Sequence, residues 1–385
     1  MRVLSLNPGS SSLKLALWEL GEGEQLLSRG AVEGVGRADA SVWLKPAAAG
    51  QAELSRRAQL QDMRAAASAL FELLEQSRAP QPDAIGQRVV HGGPEHAAPA
   101  RIDPQLTAAL RALVPWAPLH MPGSLELIEA ARERYPQLPQ VACFDTAFHR
   151  QLPERAQRLP LPRALWDRGV RRYGFHGLSY EHCVEQLGQA LGSRAIVAHL
   201  GSGASLCALL DGKPIDTSMG FSPTGGVPMS TRCGDLDPAL LLYLQAEHGY
   251  SLDRLSALIE RESGLLGISG DSGDVRELLA REAHDPHAAQ ALELFCYAIR
   301  KQIGAYAAAL GGIDSLVFTG GVGERAAAVR ERVAEPLGFL GIRFDRVAND
   351  RAAPLISRAD SAVAVRIHHA DEDRMIARHT YALCR

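Results

Sequence analysis

The sequence predicts an α/β fold that is divided into two domains and contains an internal duplication. Short apolar strands alternate with Ala- and Leu-rich helical segments along most of the chain, which is typical of α/β proteins. The length of 385 residues exceeds what one ordinary hydrophobic core holds, which favours two domains. A strand–turn–strand unit also occurs twice, near residues 3–18 and near residues 195–210, and predicts one such hairpin in each half.

The first hairpin lies at the start of the chain, where an apolar strand runs into a turn rich in Gly and Ser and a second apolar strand follows. Gly9 lets the backbone approach a phosphate closely. Ser10 and Ser12 offer hydroxyl groups, and Lys14 supplies a positive charge. The segment is therefore either a phosphate-binding turn or an ordinary polar hairpin turn, in which Gly and Ser are also common.

The next segments alternate between helix and strand. Residues 59–76 place apolar side chains at helical spacing and predict a helix, and residues 84–91 read as a buried strand that ends in two glycines. A helix over residues 125–134 and a strand over residues 140–144 follow. This order indicates strands that are joined by helices, as in an α/β sheet.

The second half repeats the hairpin and adds another Gly-rich segment. Apolar strands at residues 195–200 and 206–210 flank a turn of small residues, and Asp211 and Gly212 close the second strand. Residues 318–324 follow a strand and open a helix, an arrangement that suits a nucleotide. Their spacing matches neither the dinucleotide-binding motif nor the P-loop.

Composition excludes several classes of function. The net charge of -3 provides no basic surface for nucleic acid, and no apolar run approaches the ~18 residues that span a bilayer. The first residues do not have the pattern of a signal peptide. The six cysteines lack metal-ligand spacing and read as reduced thiols. We expect a cytoplasmic protein that binds neither nucleic acid nor membrane.

Polar side chains lie near the ends of predicted strands, where ligands of α/β sheets bind. Arg88 either clamps an anion with its guanidinium or forms an internal ion pair. Asp145 either holds Mg²⁺, polarises a nucleophile, or caps the next helix. His176 lies among glycines and either donates to developing charge or has a structural role. With Arg232, these groups fit phosphoryl transfer, which depends on positioning and charge neutralisation.

The tail combines histidines and carboxylates. His368 and His369 are adjacent, so on a strand they point to opposite faces and do not form a compact metal site. A single carboxylate from residues 371–373 either binds Mg²⁺ or lies in solvent at the start of the last helix, which is predicted over residues 375–381.

Taken together, these clusters resemble the acetate kinase family, in the same order and across essentially the whole chain. The matching segments are residues 6–14, 88–93, 117–120, 144–149, 172–177, 216–221, 231–238 and 321–324. The resemblance implies a duplicated ribonuclease H-like fold of the actin, Hsp70 and sugar kinase superfamily, with ATP in a cleft between two domains. The N-terminal domain would comprise residues 1–148 plus 374–385, and the C-terminal domain, with most of the nucleotide site, residues 149–373.

The resemblance also implies roles for single residues. Asp145 matches the catalytic acid, while His176 and Arg232 match groups that stabilise the transferring phosphoryl group. Arg88 matches the residue that binds the substrate carboxylate, and His120 a further active-site histidine. The acyl pocket would consist of Val90, Leu119, Phe175 and Pro223.

The same resemblance assigns the metal and nucleotide positions. Asn7 and Glu372 match the site of Mg²⁺, for which Mn²⁺ is an alternative ion. The residues that match ATP-binding positions are Ser10, Ser12, Lys14, His199, Leu200, Gly201, Ser202, Gly203, Asp274, Val275, Arg276, Gly321, Val322, Gly323, Glu324 and Arg325. Ser202 and Arg325 stand where the family usually has Asn. The preferred phosphoryl donor therefore has to be determined by experiment.

The activity that the resemblance implies is reversible transfer of the ATP γ-phosphate to acetate by a homodimer. Each extra methylene changes discrimination by only ~1–3 kcal/mol, so propionate or another short-chain acid is the alternative substrate. Val90 favours acetate, because propionate-preferring members have the smaller Ala there. A nucleotide-dependent binding module of the same fold is an alternative of another class, since fold does not fix function. The presence of both Arg88 and Arg232 disfavours it.

Overall fold

The computed structural model describes residues 1–47 and 52–385, which form two compact units. The first unit comprises residues 1–150 and 371–385, and the second comprises residues 151–370. The strands described are β1 (Arg2–Pro8), β2 (Ser12–Leu20), β3 (Glu24–Glu33), β4 (Ala40–Pro46), β5 (Leu54–Ala58), β6 (Ala84–Val89), β7 (Ala100–Arg101), β8 (Gln140–Phe144), β9 (Arg194–Leu200), β10 (Ala204–Leu210), β11 (Lys213–Thr217), β12 (Ser315–Thr319) and β13 (Ala364–Ile367).

The helices vary from single turns to one of 25 residues. In chain order they are α1 (Met63–Gln76), α2 (Pro104–Ala112), α3 (Met121–Arg134), α4 (Glu154–Gln157), α5 (Arg163–Asp167), α6 (Gly177–Leu187), α7 (Pro238–His248), α8 (Leu252–Arg261), α9 (Gly264–Ser269), α10 (Val275–Arg281), α11 (Pro286–Leu310), α12 (Gly320–Arg325), α13 (Ala327–Ala334), α14 (Arg346–Asp350) and α15 (Glu372–Cys384). Short 3₁₀ helices cover Val114–Trp116, Phe148–Gln151, Gly188–Leu191 and Glu335–Leu340.

The first unit contains a mixed sheet with the strand order β5-β4-β3-β2-β1-β6-β8-β7. Strands β1 to β5 form an antiparallel meander, while β1, β6 and β8 are parallel neighbours. Alternating side chains along β1 reach opposite faces of this sheet. Leu4 and Leu6 belong to the core with α1 and α3, whereas Val3 packs on the other side with Ala377 of α15. Both faces are therefore covered by helices, as expected for a sheet with parallel strands.

The second unit repeats this plan in a smaller sheet, with the order β11-β10-β9-β12-β13. Strands β9, β10 and β11 are antiparallel neighbours, and β9, β12 and β13 are parallel. Helix α11 packs on β9 and β10, and α6 contacts β9. The first sheet has the same central order, β3-β2-β1-β6-β8, so the predicted α/β fold with two related sheets is confirmed.

Most predicted elements are present with shifted ends. The helix expected from residue 59 begins at Met63, because the Asp62 side chain accepts a hydrogen bond from Ala65 N at 2.8 Å and caps it. The helix expected from residue 125 begins earlier, at Met121, with a proline in its first turn. The last helix extends over Glu372–Cys384 and is longer than predicted.

In residues 1–47 and 52–385, no helix combines the length and the apolar character that crossing a membrane requires. All six cysteines lie in this part of the chain, and none forms a disulfide.

Candidate active site

The turn of the first hairpin spans Gly9, Ser10 and Ser11. Strand β1 extends to Pro8, and Asn7 pairs in register with Lys14 of β2. Gly9 N donates to Ser12 O at 2.7 Å, and a Cβ atom on Gly9 would lie 2.6 Å from Ser12 Oγ. A side chain at position 9 would therefore require the Ser12 hydroxyl to rotate away. Ser10 is exposed at its tip.

Arg88 and Asp145 form a buried ion pair. Arg88 lies in β6 and Asp145 directly after β8, and these strands are parallel neighbours, so their carboxyl ends meet at one sheet edge. Arg88 Nε donates to Asp145 Oδ1 at 2.9 Å and Nη2 donates to Oδ2 at 2.5 Å, while Nη1 donates to Pro8 O at 2.8 Å. The Asp145 side chain has no solvent exposure, and that of Arg88 is 12% exposed. Although burial opposes it, the charge of Asp145 raises the pKa of Arg88.

The two predicted metal positions contact each other. Asn7 Nδ2 donates to Glu372 Oε2 at 2.9 Å, and Glu372 is the first residue of α15. Asp371 caps this helix by accepting from Arg374 N at 3.1 Å. The Oδ1 atom of Asp373 is shielded from solvent and has no hydrogen-bond partner among the described residues. Burial raises the pKa of Asp373 to about 6, although Lys14 lowers it.

These oxygen atoms fit Mg²⁺. The described residues hold no group of three or more His, Cys, Asp or Glu side chains that could bind a metal ion by themselves. However, Mg²⁺ keeps several waters and is commonly bound by one or two carboxylates together with substrate phosphates. The carboxylates of Glu372 and Asp373 and the amide oxygen of Asn7 supply that kind of ligand, and the unsatisfied Asp373 oxygen favours a cation nearby.

A cavity of about 210 Å³ connects the hairpin turn with residues predicted for substrate binding. Its lining includes Gly9 and Ser10 from the turn, Val90 after β6, and Leu119 and His120 before α3. The cavity is therefore lined by both polar and apolar residues, as is common in sites for small molecules.

In the second unit, the β9–β10 hairpin brings three predicted residues close together. Gly201 N donates to Gly203 O at 2.9 Å within the turn. A Cβ atom on Gly203 would lie 2.8 Å from Nη2 of Arg232 and 3.3 Å from Nε2 of His176. Arg232 Nη1 also donates to the carbonyl of Pro223 at 2.6 Å. The absence of a side chain at Gly203 thus lets a guanidinium and an imidazole lie directly against the hairpin turn.

His176 has a fixed orientation. It precedes α6 in the left-handed backbone region with φ of 58°, and its ring stacks on that of His199 at a centroid distance of 4.2 Å. Nδ1 of His176 lies 2.8 Å from Ser205 Oγ, and Nδ1 of His199 lies 2.8 Å from Ser179 Oγ. Both imidazoles are therefore held through the same nitrogen.

Comparison with known proteins decides the family. The model of the acetokinase family matches residues 2–378. The chain belongs to this family. An acetate kinase from Rhodopseudomonas palustris is 50% identical over 307 residues, which cover 78% of this chain and 77% of that protein. An acetate kinase from Methylocella silvestris is 43% identical over 396 residues, covering 99% and 97%.

Two solved structures show the acetokinase fold over the whole chain. The acetate kinase of Porphyromonas gingivalis has a TM-score of 0.86 and 36% identity and covers 100% of both chains. A propionate kinase from Francisella tularensis has a TM-score of 0.91 and 34% identity and covers 99% of both chains.

Two of the segments expected to bind nucleotide lie in short helices, residues 274–276 at the start of α10 and residues 321–325 in α12. Gly320 has a φ of 76°, and a Cβ atom there would lie 2.7 Å from Leu200 O, so glycine lets α12 begin beside the end of β9. In α12, Glu324 accepts from His369 Nδ1 at 2.6 Å, and this bond lowers the pKa of Glu324 against the effect of burial. Asp274 caps α10 by accepting from Arg276 N at 2.8 Å.

The sequence analysis did not identify the residues that hold the candidate site residues in place through hydrogen bonds. Arg330 is only 1% exposed and donates to Gly323 O at 2.9 Å and to Asn349 Oδ1 at 2.8 Å, so it fixes the glycine-rich helix α12. Asp373 and Ser205 were likewise not assigned individually. No local pattern marks these residues, because their partners are distant in the chain.

Proposed function

We propose that this protein is an acetate kinase, which transfers the γ-phosphate of ATP to acetate and forms acetyl phosphate and ADP reversibly. Membership of the acetokinase family and the names of its relatives support the reaction. The observation that carries the proposal is the Arg88–Asp145 pair, which lies at the sheet edge of the first unit together with the glycine turn and the small cavity.

In this proposal Arg88 binds the acid and Asp145 orients Arg88. Acetate is ionised at pH 7, so its attack on phosphorus needs no general base. Among the described residues, the bonds to Asp145 and Pro8 use three of the five N–H groups of Arg88. The remaining groups on Nη1 and Nη2 form the fork that suits a second carboxylate.

Stabilisation of negative charge is the task of the remaining groups. During transfer, the oxygens of acetate and of the γ-phosphate come together, and their repulsion has to be offset. Arg232 would contact the phosphoryl oxygens with its positive charge, and His176, which lies beside it at Gly203, would donate a hydrogen bond to them. Asn7, Glu372 and Asp373 would hold Mg²⁺, which neutralises phosphate charge when it is bound.

The acid substrate has a second candidate, propionate. The propionate kinase from Francisella tularensis has a TM-score of 0.91 to this chain. Val90 is buried at the cavity and restricts its size, which supports acetate. The ratio of kcat/KM for acetate, propionate and butyrate decides between the two acids.

The test is trapping of the acyl phosphate as a hydroxamate with ATP and Mg²⁺. We expect a signal with acetate that disappears when Mg²⁺ is chelated. The assay is repeated with GTP and pyrophosphate as phosphoryl donors, because Ser202 and Arg325 differ from the usual Asn. Absence of signal with all three acids and all donors would contradict the proposal.

An Arg88→Ala variant separates a kinase from a nucleotide-dependent binding module. A kinase should lose about 100-fold or more of kcat/KM for the acid, because the charged clamp is removed. Binding of ADP, measured by calorimetry, should remain within about threefold. Arg88→Lys keeps the positive charge beside buried Asp145. This variant replaces Arg88→Ala in the same measurements if Arg88→Ala does not fold. Unchanged turnover in both variants would show that Arg88 does not bind the acid.

We also propose that the protein is a homodimer that uses α7 of the second unit. This helix is rich in leucine, yet none of its residues is buried. Leu242 and Tyr243 are 68% and 53% exposed. A helix that is apolar around its circumference normally lies in a protein interior, so a second copy of the chain would cover it.

A further inference from the structure

In the second unit, two hydroxyl groups form a hydrogen-bonded chain that ends at Nδ1 of His176, and the proposed reaction gives them no role. Nδ1 of His176 is 2.8 Å from Ser205 Oγ, and Ser205 Oγ is 2.5 Å from the hydroxyl of Tyr180. Ser205 and Tyr180 have no solvent exposure, and His176 is 9% exposed. Buried polar groups of this kind keep their partners, because an unsatisfied group would cost free energy.

The backbone holds all three side chains in place. Ser205 lies in β10 opposite His199 of β9, within the antiparallel hairpin. Tyr180 follows His176 by one helical turn, and its N–H donates to His176 O at 3.1 Å. The left-handed conformation of His176 is uncommon for a residue other than glycine, so the surrounding structure imposes this backbone conformation.

The chemistry of the hydroxyl groups favours one proton arrangement. Ser205 has a single hydrogen for its two neighbours. The phenol of Tyr180 is the more acidic hydroxyl and hence the better donor, so it donates to Ser205 Oγ. The Ser205 hydrogen is then directed to Nδ1 of His176, which must be the unprotonated nitrogen. A neutral imidazole in this position carries its proton on Nε2.

The proton on Nε2 of His176 lies beside the Arg232 guanidinium. A Cβ atom on Gly203 would lie 3.3 Å from Nε2 of His176 and 2.8 Å from Nη2 of Arg232, so Nε2 and the guanidinium lie side by side against the hairpin turn. The ring of His199 stacks on that of His176 at a centroid distance of 4.2 Å. The positive charge of Arg232 beside Nε2 disfavours a second positive charge on His176 and therefore favours its neutral form.

We propose that Ser205 and Tyr180 are positioning residues for phosphoryl transfer. They hold His176 as the neutral tautomer with its proton on Nε2, so that this N–H, beside the Arg232 guanidinium, can donate to an anionic oxygen of the phosphoryl group. This inference rests on the proposed kinase function. Ser205 Oγ lies between the Tyr180 hydroxyl and the ring of His176, so we expect the two side chains to act in series.

The first experiment is a double-mutant cycle in the full-length protein. We expect Ser205→Ala to lower kcat about 10-fold to 100-fold, with KM for ATP and acetate changed less than about threefold. Tyr180→Phe should lower kcat by a smaller factor, and the double variant should be no slower than Ser205→Ala alone. Ser315→Ala removes another buried strand hydroxyl, which donates to Leu191 O, and should leave kcat unchanged. Multiplied effects in the double variant would overturn the serial arrangement.

The second experiment does not depend on turnover. Nitrogen NMR of protein labelled in its histidines reports which ring nitrogen carries the proton, and His176→Gln assigns the signals. We expect unprotonated Nδ1 and protonated Nε2 in the wild type, and a mixture of tautomers in Ser205→Ala. Tyr180→Phe provides the comparison if Ser205→Ala does not fold. A proton on Nδ1 in the wild type would overturn the proposal, whether or not the hydroxamate assay finds kinase activity.

Discussion

At the scale of single residues, the central feature is that Arg88 and Asp145 depend on each other. Two alternatives for Arg88, an anion clamp and an internal ion pair, are compatible, because one edge of the guanidinium binds Asp145 and the other N–H groups remain as donors. A buried charge pair adds little stability compared with apolar residues, but removing one partner is costly. This asymmetry suggests a functional reason for the pair.

Asp145→Asn tests that dependence. The variant keeps the shape of the side chain but leaves Arg88 as a buried cation without its counter-charge, so we expect the free energy of unfolding to fall by about 3 kcal/mol. Glu335→Gln is the matched control, because Glu335 pairs with Arg346 at the surface and its loss should cost at most about 1 kcal/mol. Denaturant unfolding measures both. Equal costs would show that burial of the pair has no special effect.

Candidate site residues were predictable from the sequence where a recognisable motif surrounds them. Arg88, Asp145, His176 and Arg232 are all identifiable because each lies beside glycines or at the end of an apolar strand. Among residues 371–373, the resemblance assigns Glu372 alone to the metal site. Asp373 has no such signal in the sequence, because only the packing of α15 shields its Oδ1 atom from solvent.

At the scale of elements, α7 differs from the other long helices of the second unit. Helix α11 buries nine side chains, whereas α7 buries none. The sequence of α7 would suit a core helix, and its exposure is the main support for the proposed homodimer.

Leu242→Asp tests the role of α7. A charge in a covered apolar interface is expensive to desolvate, so we expect the variant to dissociate into single chains in sedimentation at micromolar concentration. Phe339→Asp, at a residue that is 77% exposed, should keep the oligomeric state of the wild type. A wild-type protein that sediments as a single chain would refute the homodimer, and an unaffected dimer in Leu242→Asp would exclude α7 from its interface.

Element positions were predictable where apolar spacing and caps are local. The strand at Gln140–Phe144 has the predicted ends. Asn7 looks like a turn residue in the sequence, but it belongs to β1 and pairs with Lys14 of β2. Their pairing partners, which lie in the adjacent strand, determine the strand ends.

At the scale of the whole molecule, the chain returns to its first unit at its end. Helix α15 packs on β1 and β6, and Gly86 of β6 allows the close approach. A Cβ atom on Gly86 would lie 2.1 Å from Thr380 Oγ1 and 2.6 Å from Ile376 Cγ2. The first 150 residues therefore depend on the last 15 for one covered face of their sheet.

Gly86→Ala tests this packing. The added methyl group has to displace the helix, so we expect a loss of about 1–3 kcal/mol of stability and a lower Tm. Gly304→Ala is the control, because a Cβ atom there meets nothing within 4 Å in helix α11, and alanine should stabilise by about 0.5–1 kcal/mol. Equal Tm changes of the same sign would show that α15 does not approach β6 closely.

The sequence alone determined the α/β class, the repeated hairpin and the identity of the residues that carry charge in the site. These features follow from residue type and local spacing, which are properties of short segments. Only the tertiary structure decided that Asp145 binds Arg88, that Asp373 has a shielded oxygen, and that Ser205 and Tyr180 stand behind His176. These contacts join residues that are far apart in the chain or lie in different elements, and packing fixes them rather than any local preference.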